Sequence, residues 1–237
     1  MGGFIKQISR FLHVNCKKFY VDDKGNLFVL FKSNGERVYN PKIKGLKVEF
    51  HGHNSIVEIH EPCQFKNCEL KMKSNCTIKI EETKYLINNL KTENIMQDNT
   101  TVEIGKNFLC CGLTMILADE PNLTVKIGKD CMFARNCVIF PSDSHSIFNE
   151  NGTLINLGES VVIGNHVWLG LNVSVLKGSI IPDNCVVGYN SVYTKASIKY
   201  YKVADTNLGA VFAGAPAKVV KTNINWSKAN PCYRVEW

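Results

Sequence analysis

An all-β coil of very short strands is the fold the sequence predicts, and three observations predict it. Every sixth residue from Ile163 to Tyr193 is large and apolar: Ile163, Leu169, Val175, Ile181, Val187 and Tyr193. A Gly, Pro or Leu follows each of the first five, and then usually a small or polar residue. The same stretch is dense in Val and Ile, whose stiff branched side chains disfavour a helix. A period of six is neither 3.6 nor a plain 2, so it fits neither an amphipathic helix nor a long strand. Short strands separated by corners satisfy it. Three six-residue faces then make one rung, and rungs stack as in other repeat folds. The apolar residue of each hexad points inward, and Gly164, Gly170 and Gly188 stand where a side chain would obstruct the turning backbone.

Along the chain, residues 1–45 read as an irregular N-terminal capping region. Within it, Phe4, Ile8, Phe11 and Leu12 share one face of a short amphipathic helix that caps the first rung. Asp23–Gly25 and Asn34–Gly35 are turn signals between apolar runs, the second a strong hairpin signal. Residues 46–221 form the coil. Its beat is clearest over 161–196, recurs with less regularity at Ile104, Ile127, Phe133 and Ile139, and is weaker at Ile59 and Ile80, which predicts wider or flatter rungs upstream. Three segments interrupt it as loop excursions: residues near 84–100, 141–160 and 197–212. Ala118–Asn122 is an acidic turn containing Pro121. Residues 222–237 form a C-terminal tail.

Composition narrows the function. The chain has 237 residues, a formal net charge of +7 and 10 cysteines. No CxxC occurs and no Cys/His cluster has zinc spacing, so the cysteines read as small buried hydrophobes and no metal is expected. Nothing resembles a signal peptide or a membrane span, and free thiols without an export signal predict a cytoplasmic location. The positive excess suits an anionic ligand such as a nucleotide phosphate. The lysines are scattered, and no basic stripe carries interleaved aromatics, which argues against nucleic acid.

His145 stands in PSDSHSIFNENG, where the inward beat stops and a polar loop begins. Imidazole has a free pKa suited to taking a proton from a poorly nucleophilic alcohol. Asp143, two residues earlier, is positioned in sequence to orient the ring through its other nitrogen, with Glu150 a second choice. Ser142 and Ser146 are candidate donors to an oxyanion. His166, in IGNHVWLG, follows Gly164 and reads as a corner residue rather than a base.

The stretches SDSHSIFNENG, VVIGNHVWLGLNVSVLKGSIIPDNCVVGYNSVYTK and FAGAPAKVVK resemble bacterial hexapeptide-repeat acyltransferases. The match covers roughly residues 101–221 and is strongest to sugar O-acetyltransferases of the galactoside, maltose and capsular-polysaccharide types. The resemblance implies a left-handed parallel β-helix, an exception to the usual right-handed crossover, and a homotrimer around a threefold axis. It implies acetyl-coenzyme A (acetyl-CoA) as co-substrate and His145 as the base of a direct transfer without an acyl-enzyme. By the same resemblance, Trp168 lies beside the cleft, where its apolar face suits pantetheine or a sugar. Leu171, Tyr189, Thr194 and Lys195 line the donor, and Lys218 and Lys221 of the closing GAPAKVVK motif meet its phosphates. Small-sugar relatives carry an acceptor-binding Asn where this chain has Leu113, so the implied acceptor is a surface sugar of capsule, lipopolysaccharide or sialic acid type.

Two alternatives stay open at this point: an N-acetyltransferase of a nucleotide-linked amino sugar, and a non-catalytic trimeric scaffold. A γ-class carbonic anhydrase would need three histidines converging on zinc. His51, His53 and His60 are remote in rung order from His145 and His166.

Overall fold

The computed structural model describes residues 21–199, 201 and 208–229. The expected N-terminal helix lies outside them, as do residues 200 and 202–207 of the 197–212 excursion. The rest is a three-sided coil. Three sheets of 8, 8 and 7 strands run its length, and within each the coil strands are parallel. The chain visits the faces in strict rotation: Leu46–Phe50 on the third sheet, Ile56–His60 on the first, Gln64–Lys66 on the second, then Cys68–Met72 on the third again. This is the coil of short rungs that the six-residue period predicts, and it agrees with the left-handed β-helix that the resemblance implies.

Each face contributes an inward column. Ile59, Ile80, Ile104, Ile127, Ile163 and Ile181 descend the first sheet, all 0–1% exposed. Ile87, Cys110, Phe133, Leu169, Val187 and Phe212 descend the second. Leu70, Thr92, Met115, Ile139, Val175 and Tyr193 fill the third. Burying such side chains stabilises by about 1.5–3 kcal/mol each, and the contact of each rung with its neighbours makes the coil continuous. Rungs take 21 residues near the N-terminus, where Val57 pairs with Ile78, and 18 near the C-terminus, where Ile163 pairs with Ile181. The upstream rungs are therefore wider, with strands of three to five residues in place of two or three.

The corners are built by asparagine. Asn54, Asn75, Asn107, Asn136, Asn172, Asn184 and Asn190 all take φ between 55 and 61°, the left-handed region that short amide side chains tolerate best after glycine. Their amides also stack: Asn136 Nδ2 donates to Asn172 Oδ1 at 3.1 Å, and Asn172 Nδ2 to Asn190 Oδ1 at 2.9 Å. The glycines serve another purpose. A Cβ on Gly164 would stand 2.3 Å from Asp183 Oδ1, and one on Gly170 2.9 Å from the Tyr189 nitrogen. Gly188 departs from the expectation, because a Cβ there would meet only ordinary contacts from 3.4 Å.

Three boundaries shift. Residues 84–100 do not bulge outward. They supply the strands Leu86–Asn88 and Leu90–Glu93, in register with neighbours on both sides. The coil begins before residue 46, because Leu27–Phe31 pairs in parallel with Ile56–His60. Arg37–Tyr39 folds back on it through the Asn34–Gly35 turn, as the hairpin signal predicts. At the other end, Gly209–Gly214 and Ala217–Ile224 form an antiparallel hairpin on the second sheet, so the closing motif is strand and runs past residue 221.

The described cysteines are free and, except for Cys63 and Cys111, buried. Burial pushes the Cys131 and Cys137 thiols up to about 12, so they stay protonated and act as packing groups. Their sulfurs donate to the carbonyls of Gly164 and Gly170 in the next rung, at 3.2 and 3.4 Å.

Candidate active site

Residues 141–160 are a true excursion. They leave the coil where the third sheet turns to the first, and Val125 pairs with Val161 across them. The Glu159 N–H closes their base on the Pro141 carbonyl at 2.9 Å. Beyond the base the two arms form a finger. Phe148 bridges Leu154, and Asn149 Oδ1 accepts the Asn151 and Thr153 N–H groups at 3.0 and 2.9 Å to make its tip. Ile147, Phe148, Ile155 and Leu157 are 53–63% exposed on this finger, an unusual density of apolar side chains facing solvent.

His145 stands at the finger's root. Its N–H donates to the Asp143 carbonyl at 2.7 Å, closing a three-residue turn around Ser144, whose φ is 63°. That left-handed conformation is costly for a serine. Its own contacts hold it: Ser144 Oγ donates to Asp119 Oδ2 at 2.8 Å, and Ser144 N–H to Ser142 Oγ at 3.1 Å. The result turns the imidazole outward. It is exposed, and among the described residues it has no hydrogen-bond partner.

Asp143 does not orient that ring. Its carboxylate accepts Lys177 Nζ at 2.5 Å and Asn156 Nδ2 at 3.1 Å. The hydrogen bond from the Lys177 ammonium holds the Asp143 carboxyl below the usual carboxylate range. Sequence reasoning missed Lys177 and Asn156 because the partners lie 34 and 13 residues from Asp143. The acidic turn 118–122 was visible, but its purpose was not. Glu120 accepts Ser142 Oγ at 2.6 Å and the Gly158 N–H at 2.8 Å, tying both feet of the excursion to the preceding rung.

His166 is a corner residue. It takes φ 52°, the conformation asparagine holds elsewhere, and its Nδ1 lies 2.9 Å from Asn184 Oδ1. Its ring stacks on Trp226 with centroids 4.1 Å apart, and its carbonyl accepts Trp226 Nε1 at 2.9 Å. One ring face and the Nδ1 edge are thus engaged, unlike those of His145.

The expected donor residues fall in two groups. Lys195 joins His145 at the same corner of the coil, where its Nζ reaches Glu159 Oε2 at 2.5 Å. Thr194 precedes it, its N–H donating to Ser197 Oγ at 3.0 Å. The others lie elsewhere on the same chain. Trp168 faces outward on the second sheet between Met132 and Val186, with Trp226 5.9 Å away. Leu171 and Tyr189 lie one rung apart at the corner from the second to the third sheet, and the Leu171 carbonyl accepts the Asn190 N–H at 3.0 Å. Lys218 and Lys221 are exposed on the closing hairpin opposite Ala213 and Val211. No helix among the described residues is long and apolar enough to cross a membrane.

No protein-family model matches the chain. A curated relative, the polysialic acid O-acetyltransferase of Neisseria meningitidis, is 36% identical over 129 residues, 54% of this chain and 58% of that protein. The chain spans about half the length of the curated relatives it matches. Two crystal structures resemble the whole fold. The polysialic acid O-acetyltransferase OatWY is 32% identical with a TM-score of 0.53, over 79% of this chain and 86% of that one. The polySia-specific acetyltransferase NeuO is 26% identical with a TM-score of 0.59, over 87% of each.

Proposed function

Because the chain belongs to the hexapeptide-repeat acyltransferase family, we propose that it moves an acetyl group from acetyl-CoA to a hydroxyl of a bacterial surface sugar, with polysialic acid the leading acceptor. One observation carries the chemistry. His145 is a solvent-facing imidazole on a braced turn with both ring nitrogens unengaged among the described residues. A base that must meet an incoming hydroxyl needs that freedom.

In this reading His145 takes the acceptor proton as the oxygen attacks the thioester carbonyl. The tetrahedral adduct collapses with loss of the coenzyme thiolate, which recovers the proton. Trp168, Leu171 and Tyr189 line the pantetheine arm. Thr194 and Lys195 also line the donor, and Lys218 and Lys221 meet its phosphates, where charge-assisted contacts are strong. Asp143 serves the base at one remove, through the backbone of the turn.

The reading also requires more than one copy. His145 and Lys195 lie at one corner of the coil, whereas Trp168, Leu171, Tyr189 and the hairpin lysines lie on another face. Three copies around an axis bring the corner of one against the face of the next, and the exposed apolar finger gains a neighbour. Light scattering is expected to give a trimer. A fully active monomer would contradict the shared site.

The substrate test is a screen of polysialic acid, free sialic acid, neutral sugars and nucleotide-linked amino sugars for acetyl-CoA consumption, with mass spectrometry of the product. An alkali-labile ester on a sialic acid polymer is the expected result. A stable amide on an amino sugar would move the assignment to N-acetyl transfer, and no consumption with any acceptor would leave a scaffold.

A further inference from the structure

We propose that Lys177 is a positioning residue for His145, acting through Asp143 and Asn156 rather than on substrate. The proposal rests on His145 being the base and concerns what holds it still. Lys177 belongs to the rung after the excursion, at the same corner of the coil. Its ammonium donates to Asp143 Oδ2 at 2.5 Å, to the Asn156 carbonyl at 2.9 Å and to the Leu157 carbonyl at 3.4 Å. Asp143 lies on the outgoing arm of the excursion, and Asn156 and Leu157 on the returning arm. One ammonium, with three donors and no acceptor, therefore bridges both arms.

Asn156 carries the constraint onward. Its Nδ2 donates to the His145 carbonyl at 2.8 Å as well as to Asp143, and its Oδ1 accepts the Ile147 N–H at 2.7 Å. The backbone of His145 is thus fixed at its N–H by the Asp143 carbonyl and at its C=O by Asn156. Two contacts separate Lys177 from the base. The lysine side chain is 22% exposed, so the pair is better shielded from solvent than the 68% exposed Lys195 that meets Glu159. Glu120 braces the feet of the excursion from the preceding rung. The turn bearing His145 is therefore held between a carboxylate on one side and an ammonium on the other.

The test compares Lys177→Met, Asp143→Asn and the double variant, in kinetics and in amide hydrogen exchange of the free protein. Displacing a reacting group by about 1 Å costs on the order of 10²-fold. Lys177→Met is expected to lower kcat by about that factor with little change in the acetyl-CoA KM, and the double variant is expected to lose no more than the worse single. Exchange at Ile147 is expected to accelerate to the rate of the finger tip, while Val161–Ile163 stays protected. Unchanged kcat with unchanged Ile147 protection would overturn the proposal, as would single-variant losses that multiply in the double. Should the unaltered protein acetylate nothing, the proposed function fails by itself and Ile147 exchange alone decides the clamp. Should Lys177→Met not fold, Asp143→Asn, altered at an exposed carboxylate, carries the same readouts.

Discussion

Replacing His145 by alanine is expected to reduce acetyl transfer by roughly 10²–10⁴-fold, the usual contribution of a general base, while the coil stays intact. The side chain is exposed and makes no hydrogen bond among the described residues, so its loss leaves no buried group unpaired. Circular dichroism and the unfolding midpoint should be unchanged, and so should binding of coenzyme A. His166→Asn is the matched control. Asparagine is the residue the other corners already use at positive φ, so this change loses the stack on Trp226 and little else, and most activity should remain. Near-normal turnover in folded His145→Ala would remove the assignment, and the reverse ranking would move the base to His166.

The largest effect on stability is expected from Phe133→Ala, at about 3–5 kcal/mol for a buried phenylalanine. Phe133 is fully buried on the second sheet between Cys110 and Leu169, and it meets Phe108 edge-to-face with centroids 5.0 Å apart at 88°. The coil is one rung wide, so no second layer can collapse into the space. Rungs also stabilise only their neighbours. The void would therefore weaken the joint between the wider N-terminal rungs and the excursion-bearing ones. Urea unfolding followed by circular dichroism measures it. A midpoint equal to that of the unaltered protein would show that the core tolerates the loss.

Much of the fold was legible because the inward positions leave no choice of residue. Ile163 to Tyr193 must be apolar to close an axis with no room for water, and that necessity writes a period into the sequence. Residues 84–100 were illegible for an equally physical reason. KYLINNLKTENIMQDNT shows polar residues at the outward positions of a solvated face, and its asparagines read as loop formers. Asn89, Asn94 and Asn99 are instead the left-handed corners, while Ile87, Leu90 and Met96 are fully buried between them. The Asn34–Gly35 hairpin was readable because its signal is local. The break in the beat marked the excursion that carries His145, but Asp143 was paired in sequence with its neighbour and in space with Lys177. A rung-to-rung contact spans 18–36 residues in this fold, so sequence proximity says little about which side chains meet.

The excursion has a consequence for how such a chain diversifies. It departs and returns at one corner, and the pairing resumes without a slip: Val125 meets Val161, Ile127 meets Ile163, and Ile163 meets Ile181 on the following rung. The coil therefore does not count the residues of the finger. Doubling a closed loop costs only about 0.6 kcal/mol in closure entropy, less than one buried methylene. Residues 148–154, beyond the Asn156–Ile147 brace, can lengthen, shorten or change chemistry without disturbing that register. The register of the scaffold and the turn bearing His145 stay fixed meanwhile. The tip of the loop and the His145 turn adjoin in one segment, yet only the second is tethered to the fold.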